Sequence, residues 1–306
     1  MARSFLKMQD ISADELNKIF CIIKSRKGEI EKRKGLKVLQ NKVVGLLFEK
    51  PSTRTRTSFE AATDRLGGSA IYLPSSEMQL KRGEPIKDTA RILGSYLDGL
   101  VARVFGHQDV VDLAQYAGMP IINGLSDMEH PTQVVCDLYT VLEVRKKLKG
   151  LTMTYIGDGD NMCNSLYVGC AMVGMNMNAA CPPGYKPDEE TLATAKEIAK
   201  KTGAKLNLYD HPQEAAPGTD VFYTDVWVSM GDEAEKDARM KAFQGYQINA
   251  DLLKLANTGA SVMHCLPAHR GLEITDDVIE GPQSIVWQQG ANKMYGAAGI
   301  LEFFLG

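Results

Sequence analysis

Short runs of apolar and β-branched residues alternate along the chain with stretches whose apolar positions recur every three or four residues. That alternation predicts a βα-repeating fold on parallel sheets. In the first half, helix 12–32 precedes strand 42–48, helix 52–66, strand 69–73, helix 86–98, strand 99–104, helix 108–117 and strand 119–123. A long helical stretch from Thr132 to about Lys147 leads to Lys149-Gly150, and the alternation restarts with Leu151-Thr152-Met153-Thr154-Tyr155-Ile156. It continues through strands near 176–181, 205–209, 220–224, 260–264 and 284–287. The expected fold class is α/β, with two doubly wound parallel-sheet lobes joined by helices. The lobes are expected at 1–145 and 146–306, with no internal repeat or low-complexity linker.

Ligands of open α/β sheets bind outside the carboxyl ends of the strands, and the unusual polar residues fall there. The richest stretch is Phe48-Glu49-Lys50-Pro51-Ser52-Thr53-Arg54-Thr55-Arg56-Thr57-Ser58, after the first strand. Ser52 is a suitable N-cap for the helix that follows, so an anion there would meet free helix N–H groups, the positive end of the helix dipole, and Arg54 or Arg56. The Gly-Lys-Ser/Thr core of a nucleotide P-loop is missing, which points to a small phosphorylated compound. A capped helix with two solvated arginines would carry the same residues.

Arg103 ends another strand, and Glu129-His130-Pro131-Thr132-Gln133 sets a histidine just before a proline suited to the first helical position. Arg103 and His130 could both donate to a carbonyl oxygen that gains charge under attack. In the second lobe, Asp225-Val226-Trp227-Val228-Ser229-Met230-Gly231 follows a strand and could grip an amino acid head, with Asp225 taking the ammonium and Asn161 offering an amide to the carboxylate. An N-cap and turn would explain that loop as well. His264-Cys265-Leu266-Pro267 closes a further strand. Gly157-Asp158-Gly159-Asp160-Asn161 resembles a dinucleotide turn, but Met162 replaces the third glycine and the acids would repel a pyrophosphate. The strand ends of the first lobe are thus cationic and those of the second acidic and polar, which suits an anionic substrate and an aminated one.

Charge and cysteine usage narrow the class. The 306 residues hold 35 Lys and Arg against 38 Asp and Glu, a net charge of -3 without a long basic run, so nucleic acid is not an expected partner. No apolar run reaches the ~18 residues of a membrane span, and the N-terminus lacks a signal-peptide pattern, so a cytoplasmic location is expected and a membrane partner is not. Six cysteines without a Cys-x-x-Cys pair indicate reduced thiols, with no disulfide framework and no metal site.

In order along the chain, Ser52-Thr53-Arg54-Thr55-Arg56, His130-Pro131-Thr132-Gln133, Asp225 to Gly231 and His264-Cys265-Leu266-Pro267 resemble the ornithine carbamoyltransferases of the aspartate/ornithine carbamoyltransferase family. The first two motifs are shared across that family; the last two point to ornithine. The resemblance implies the family's two-lobed fold, with carbamoyl phosphate binding in the first lobe, L-ornithine in the second, and the last helix (about 291–306) packing back on the first. It also implies a homotrimer or a multiple of trimers, and no metal or organic cofactor. By matching position, Ser52, Thr53, Arg54 and Thr55 would bind phosphate, while Thr55, Arg103, His130 and Gln133 would surround the carbamoyl group. Gln79 matches a residue lent to the neighbouring subunit's site. Asn161, Asp225, Ser229 and Met230 match the ornithine ligands, and Cys265 with Leu266 would lie where the two substrates meet. Arg103, His130 and Cys265 would be the catalytic groups. The last helix departs from the family pattern: Ala291-Asn292-Lys293 stands where relatives usually read Glu-Asn-Arg. Lys293 would keep a charge on carbamoyl phosphate but lack the guanidinium fork. A carbamoyltransferase for another amine, such as putrescine, or a non-catalytic sensor of carbamoyl phosphate or an amino acid, shares most of these features.

Overall fold

The computed structural model describes residues 2–229, 231 and 233–306, with backbone alone at Lys81 and Glu233. The chain divides into two compact units, Met1–Tyr139 with Ala291–Gly306, and Thr140–Gly290.

The first unit contains α1 (Ala13–Glu31), β1 (Val43–Phe48), α2 (Thr53–Arg65), β2 (Ser69–Pro74), α3 (Ile86–Tyr96), β3 (Gly99–Arg103), α4 (His107–Tyr116) and β4 (Ile121–Leu125). Its four parallel strands run in the order β2-β1-β3-β4, so the chain reverses direction across the sheet between β1 and β3. β3 is buried along its whole length, as a strand covered on both faces must be.

α5 (Pro131–Arg145) carries the chain into the second unit. There β5 (Thr152–Ile156), α6 (Asn161–Val173), β6 (Asn176–Ala180), α7 (Glu189–Thr202), β7 (Leu206–Tyr209), α8 (Pro212–Ala215), β8 (Val221–Thr224), α9 (Lys236–Ala242), α10 (Ala250–Leu253), β9 (Ser261–His264) and α11 (Asp276–Ile279) follow. The five parallel strands run β7-β6-β5-β8-β9, with the switch point between β5 and β8. Phe222, Phe243, Val262 and Ile274 fill part of the core on one side.

One expected strand is corrected. Residues 284–287 do not extend the sheet: Ser284 makes a single bridge to Val262, and α12 (Val286–Leu305) begins two residues later. Val286 and Trp287 look like strand formers in isolation, but the apolar positions that follow repeat at helical spacing. From Ala291 onward α12 belongs to the first unit. There a Cβ on Gly296 would stand 2.2 Å from Cys136 Sγ, so only glycine lets α12 lie this close to α5. Arg26 of α1 also clasps Glu302, using two guanidinium nitrogens. Among the described residues no helix is long and apolar enough to cross a membrane.

Candidate active site

In the first unit the sheet places the candidate residues side by side. Phe48 at the end of β1 pairs with Arg103 at the end of β3, and Glu49 N–H donates to the Arg103 carbonyl at 2.8 Å. Ser52 then caps α2, its Oγ accepting from Thr55 N–H at 3.3 Å. Thr53 is exposed, Arg54 half-buried and Thr55 buried. The two arginines of this turn differ. Arg56 lies over the Tyr72 ring at 3.7 Å and pairs with Glu60 at 3.4 Å, whereas Arg54 makes no ion pair among the described residues. The helix terminus and Arg54 therefore offer positive potential to an anion.

His130 enters from the loop after β4. Asn123, fully buried, donates to the carbonyls of Leu6 at 2.9 Å and Glu129 at 3.3 Å, and Ser126 Oγ accepts from Glu129 N–H at 3.3 Å. These bonds fix the loop, and the His130 carbonyl accepts the N–H of Gln133 at 3.1 Å where α5 begins. Burial holds the His130 ring well below the ordinary imidazole range, and the nearby cations Lys293 and Arg103 push it further down. His130 is therefore a neutral hydrogen-bonding imidazole at physiological pH. Lys293 reaches the same region from α12 and donates to Gln133 Oε1. The structure thus brings Arg103, His130, Gln133 and Lys293 together beside the α2 cradle. Gln79 is not among them: it is exposed on the turn after β2, where its carbonyl accepts from Arg82 at 3.5 Å.

In the second unit the register aligns Ile156 with Thr224 and Thr224 with His264, so the segments after β5, β8 and β9 emerge next to one another. Asp160 caps α6, accepting from Met162 N–H at 3.2 Å, and its other oxygen accepts from Ser229 Oγ at 3.3 Å. Asn161 is the first residue of α6. The glycine of this turn has a packing cause, since a Cβ on Gly159 would stand 2.3 Å from Pro187 N. Asp158 forms a buried ion pair with Arg239, which also bonds Glu235 at 3.1 Å and lies over Tyr185 at 5.1 Å. Asp225 takes the N–H of Val226 at 2.7 Å and the thiol of Cys265. Burial raises the Asp225 carboxyl above its usual range against the pull of His264 and Cys265. Asp160 is raised well above that range by desolvation, then by the charges of Asp158 and Asp225. The buried Tyr155 hydroxyl, raised first by burial and then by Asp160, has no hydrogen-bond partner among the described residues. Met230 lies outside the described residues.

The turn after β9 is held from inside. Leu266 N–H donates to His264 Nδ1 at 2.9 Å, so the ring hydrogen is on Nε2, which donates to the buried Glu273 at 3.0 Å. The same Glu273 oxygen accepts from His269 N–H at 2.5 Å. Leu266 sits at φ 60, uncommon for a non-glycine residue, and the Leu266–Pro267 bond is cis. Ligand atoms of Asp225, His264 and Cys265 lie within 4.8 Å of one another. Both ring nitrogens of His264 are already engaged, so the trio has no free imidazole lone pair for a metal. In the second unit sequence reasoning missed Glu273, Arg239 and Gln289, whose Oε1 accepts from His264 N–H at 2.9 Å, and in the first unit it missed Asp137, which accepts from Gln133 at 2.8 Å. Asp137 alone had a readable signal, its helical i+4 spacing from Gln133.

The chain matches two family models that together span nearly its full length. Residues 3–143 match the aspartate/ornithine carbamoyltransferase carbamoyl-P binding domain, and residues 149–304 match the Asp/Orn binding domain. The chain belongs to the aspartate/ornithine carbamoyltransferase family. The ornithine carbamoyltransferase of Nostoc punctiforme is 49% identical over 306 residues, covering 100% of this chain and 98% of its own. That of Methanosarcina acetivorans is 46% identical, with 98% of each chain covered. The solved structure of the Pyrococcus furiosus ornithine carbamoyltransferase superposes with a TM-score of 0.96 at 44% identity, covering 100% of this chain and 97% of that one. Two doubly wound lobes with parallel sheets are the expected architecture of an aspartate/ornithine carbamoyltransferase.

Proposed function

We propose that this chain transfers the carbamoyl group of carbamoyl phosphate to the δ-amino group of L-ornithine, giving L-citrulline and phosphate. The observation that carries the choice of acceptor is the acidity of the second unit's strand ends. Aspartate would bring two carboxylates to Asp158, Asp160 and Asp225, where Arg239, a buried cation of the second unit, is already paired with Asp158. Ornithine brings ammonium groups, which such a surface favours.

The donor is already activated, so the protein needs to position two substrates and stabilise a tetrahedral oxyanion. In this reading Ser52, Thr53, Arg54 and Thr55 hold the phosphate, while Thr55, Gln133, Arg103 and His130 surround the carbamoyl group. The neutral His130 N–H and the Arg103 guanidinium stabilise the developing negative oxygen. Asp225 takes the α-ammonium, with Asn161, Ser229 and Met230 completing the amino acid site and Cys265 and Leu266 adjoining the reacting carbon. The δ-amine has a lysine-like pKa of ~10.4, so on the order of one molecule in a thousand is neutral at pH 7. Cationic neighbours and desolvation favour that neutral nucleophile. Its nitrogen bonds to the carbonyl carbon, the bond from that carbon to the phosphate-bridging oxygen breaks, and the departing phosphate takes the proton.

We further propose a cytoplasmic homotrimer, or a multiple of trimers, in which the exposed Gln79 serves a neighbouring subunit's site. The six unbridged thiols suit a reducing compartment. The test of function is citrulline formation by the purified chain with ornithine, putrescine, lysine and aspartate offered in parallel. Preference for ornithine supports the proposal; preference for any other acceptor refutes it.

A further inference from the structure

The amide of Gln133 is fixed from both ends. Gln133 and Asp137 lie one turn apart on α5, and Gln133 Nε2 donates to Asp137 Oδ1 at 2.8 Å. From a position 160 residues later, the Lys293 ammonium donates to Gln133 Oε1. All three residues are buried, at 2%, 0% and 7% exposure for Gln133, Asp137 and Lys293. Glutamine amides generally flip at little cost. Here the flipped form would set the NH2 against an ammonium and the carbonyl against a carboxylate. The carbonyl oxygen is therefore the end turned to Lys293. It has two lone pairs, so accepting from Lys293 leaves capacity for an N–H donor of a bound ligand.

A carbamoyl group carries such a donor, and an acetyl group carries a methyl of nearly the same shape in its place. We propose that Asp137, acting through Gln133, is the positioning residue that makes this chain select carbamoyl over acetyl phosphate-type ligands. The inference rests on the reading of the first unit as the carbamoyl phosphate side and adds to it the residue that sets its acyl selectivity. A buried site built to hydrogen-bond an N–H disfavours the analogue that lacks it, because the second lone pair of the Gln133 carbonyl is then buried without a donor. Asp137 touches no substrate in this scheme. It sets which end of the Gln133 amide the substrate meets.

The test is calorimetric titration of the full chain with phosphonoacetamide and acetonylphosphonate, stable ligands that differ only in NH2 against CH3. The wild-type chain should bind the amide about tenfold or more tighter. Asp137→Asn should reduce that ratio at least about threefold, and Lys293→Met, which frees the other end of the amide, should do the same. General loosening of the fold would weaken both ligands alike and leave the ratio unmoved. Should Asp137→Asn fail to fold, the ratio for Lys293→Met decides. Equal affinity of the wild-type chain for the two ligands, or an unchanged ratio in the variants, overturns the proposal. Absence of citrulline formation would instead overturn the carbamoyl-transfer reading, and the binding ratio would still decide this one.

Discussion

Replacing Glu273 by glutamine should damage both stability and turnover, by amounts that follow from its contacts. One fully buried carboxylate oxygen accepts from His264 Nε2 at 3.0 Å and from His269 N–H at 2.5 Å, so it ties both ends of the segment that contains Cys265 and Leu266. Glutamine can keep its carbonyl at that oxygen, so both bonds persist but lose the charge assistance, about 1 kcal/mol each. Among the described residues the other oxygen accepts no hydrogen bond, with His269 Nδ1 4.0 Å away, so an NH2 in its place would be a buried donor left unmade, about 1–3 kcal/mol. The sum is about 3–5 kcal/mol, roughly 6–20 °C in the unfolding midpoint of a unit this size. His264 also holds the Leu266 backbone and lies near Asp225. A shift of this turn by about 1 Å should lower kcat/KM for ornithine between roughly tenfold and a hundredfold. Thermal unfolding and citrulline formation measure the two effects. A midpoint within about 1 °C of wild type, together with kcat/KM within about twofold, would show that Glu273 does not organise the turn.

Arg54→Ala should weaken carbamoyl phosphate about tenfold to a hundredfold while leaving ornithine affinity nearly unchanged, since it removes the unpaired cation of the α2 cradle. Calorimetry with carbamoyl phosphate unaffected would remove that assignment. Asp225→Asn should have the converse effect, weakening ornithine by a comparable factor, and equal KM values in variant and wild type would count against it. The depressed His130 carries a pH signature. The unfolded chain binds a proton there near pH 6.5 while the folded one resists it, so His130 lowers stability as pH falls below about 6.5, by up to about 1.4 kcal/mol per pH unit. His130→Gln should flatten the dependence of urea unfolding on pH between 7.5 and 5, and identical slopes would contradict burial as the cause.

Much of the fold was legible because parallel βα units leave a strong trace: continuous apolar strands, helical periodicity, and polar residues gathered at strand ends. The same rule located the turn at Ser52, Arg103, the loop before Pro131, and Asp225. It failed at 284–287, where two β-prone residues open a helix. Sequence spacing does not disclose Lys293 meeting Gln133 or Glu273 tying down His264, because those contacts depend on how α12 returns and how the turn after β9 folds over. Nor could it separate Arg54 from Arg56, which differ through a tyrosine ring on β2 that no local pattern announces.

Solvent access ranks the six thiols: Cys21 is exposed, Cys265 half-buried, and Cys136, Cys163, Cys170 and Cys181 are buried. Burial pushes the Cys136 thiol up to about 12, far from the reactive range. With Cys21 exchanged for serine, a small alkylating reagent would therefore read one sulfur, that of Cys265, beside the Asp225 to which the proposed function assigns the amino acid. Its rate of labelling becomes an optical gauge of occupancy, usable in a cuvette without following turnover.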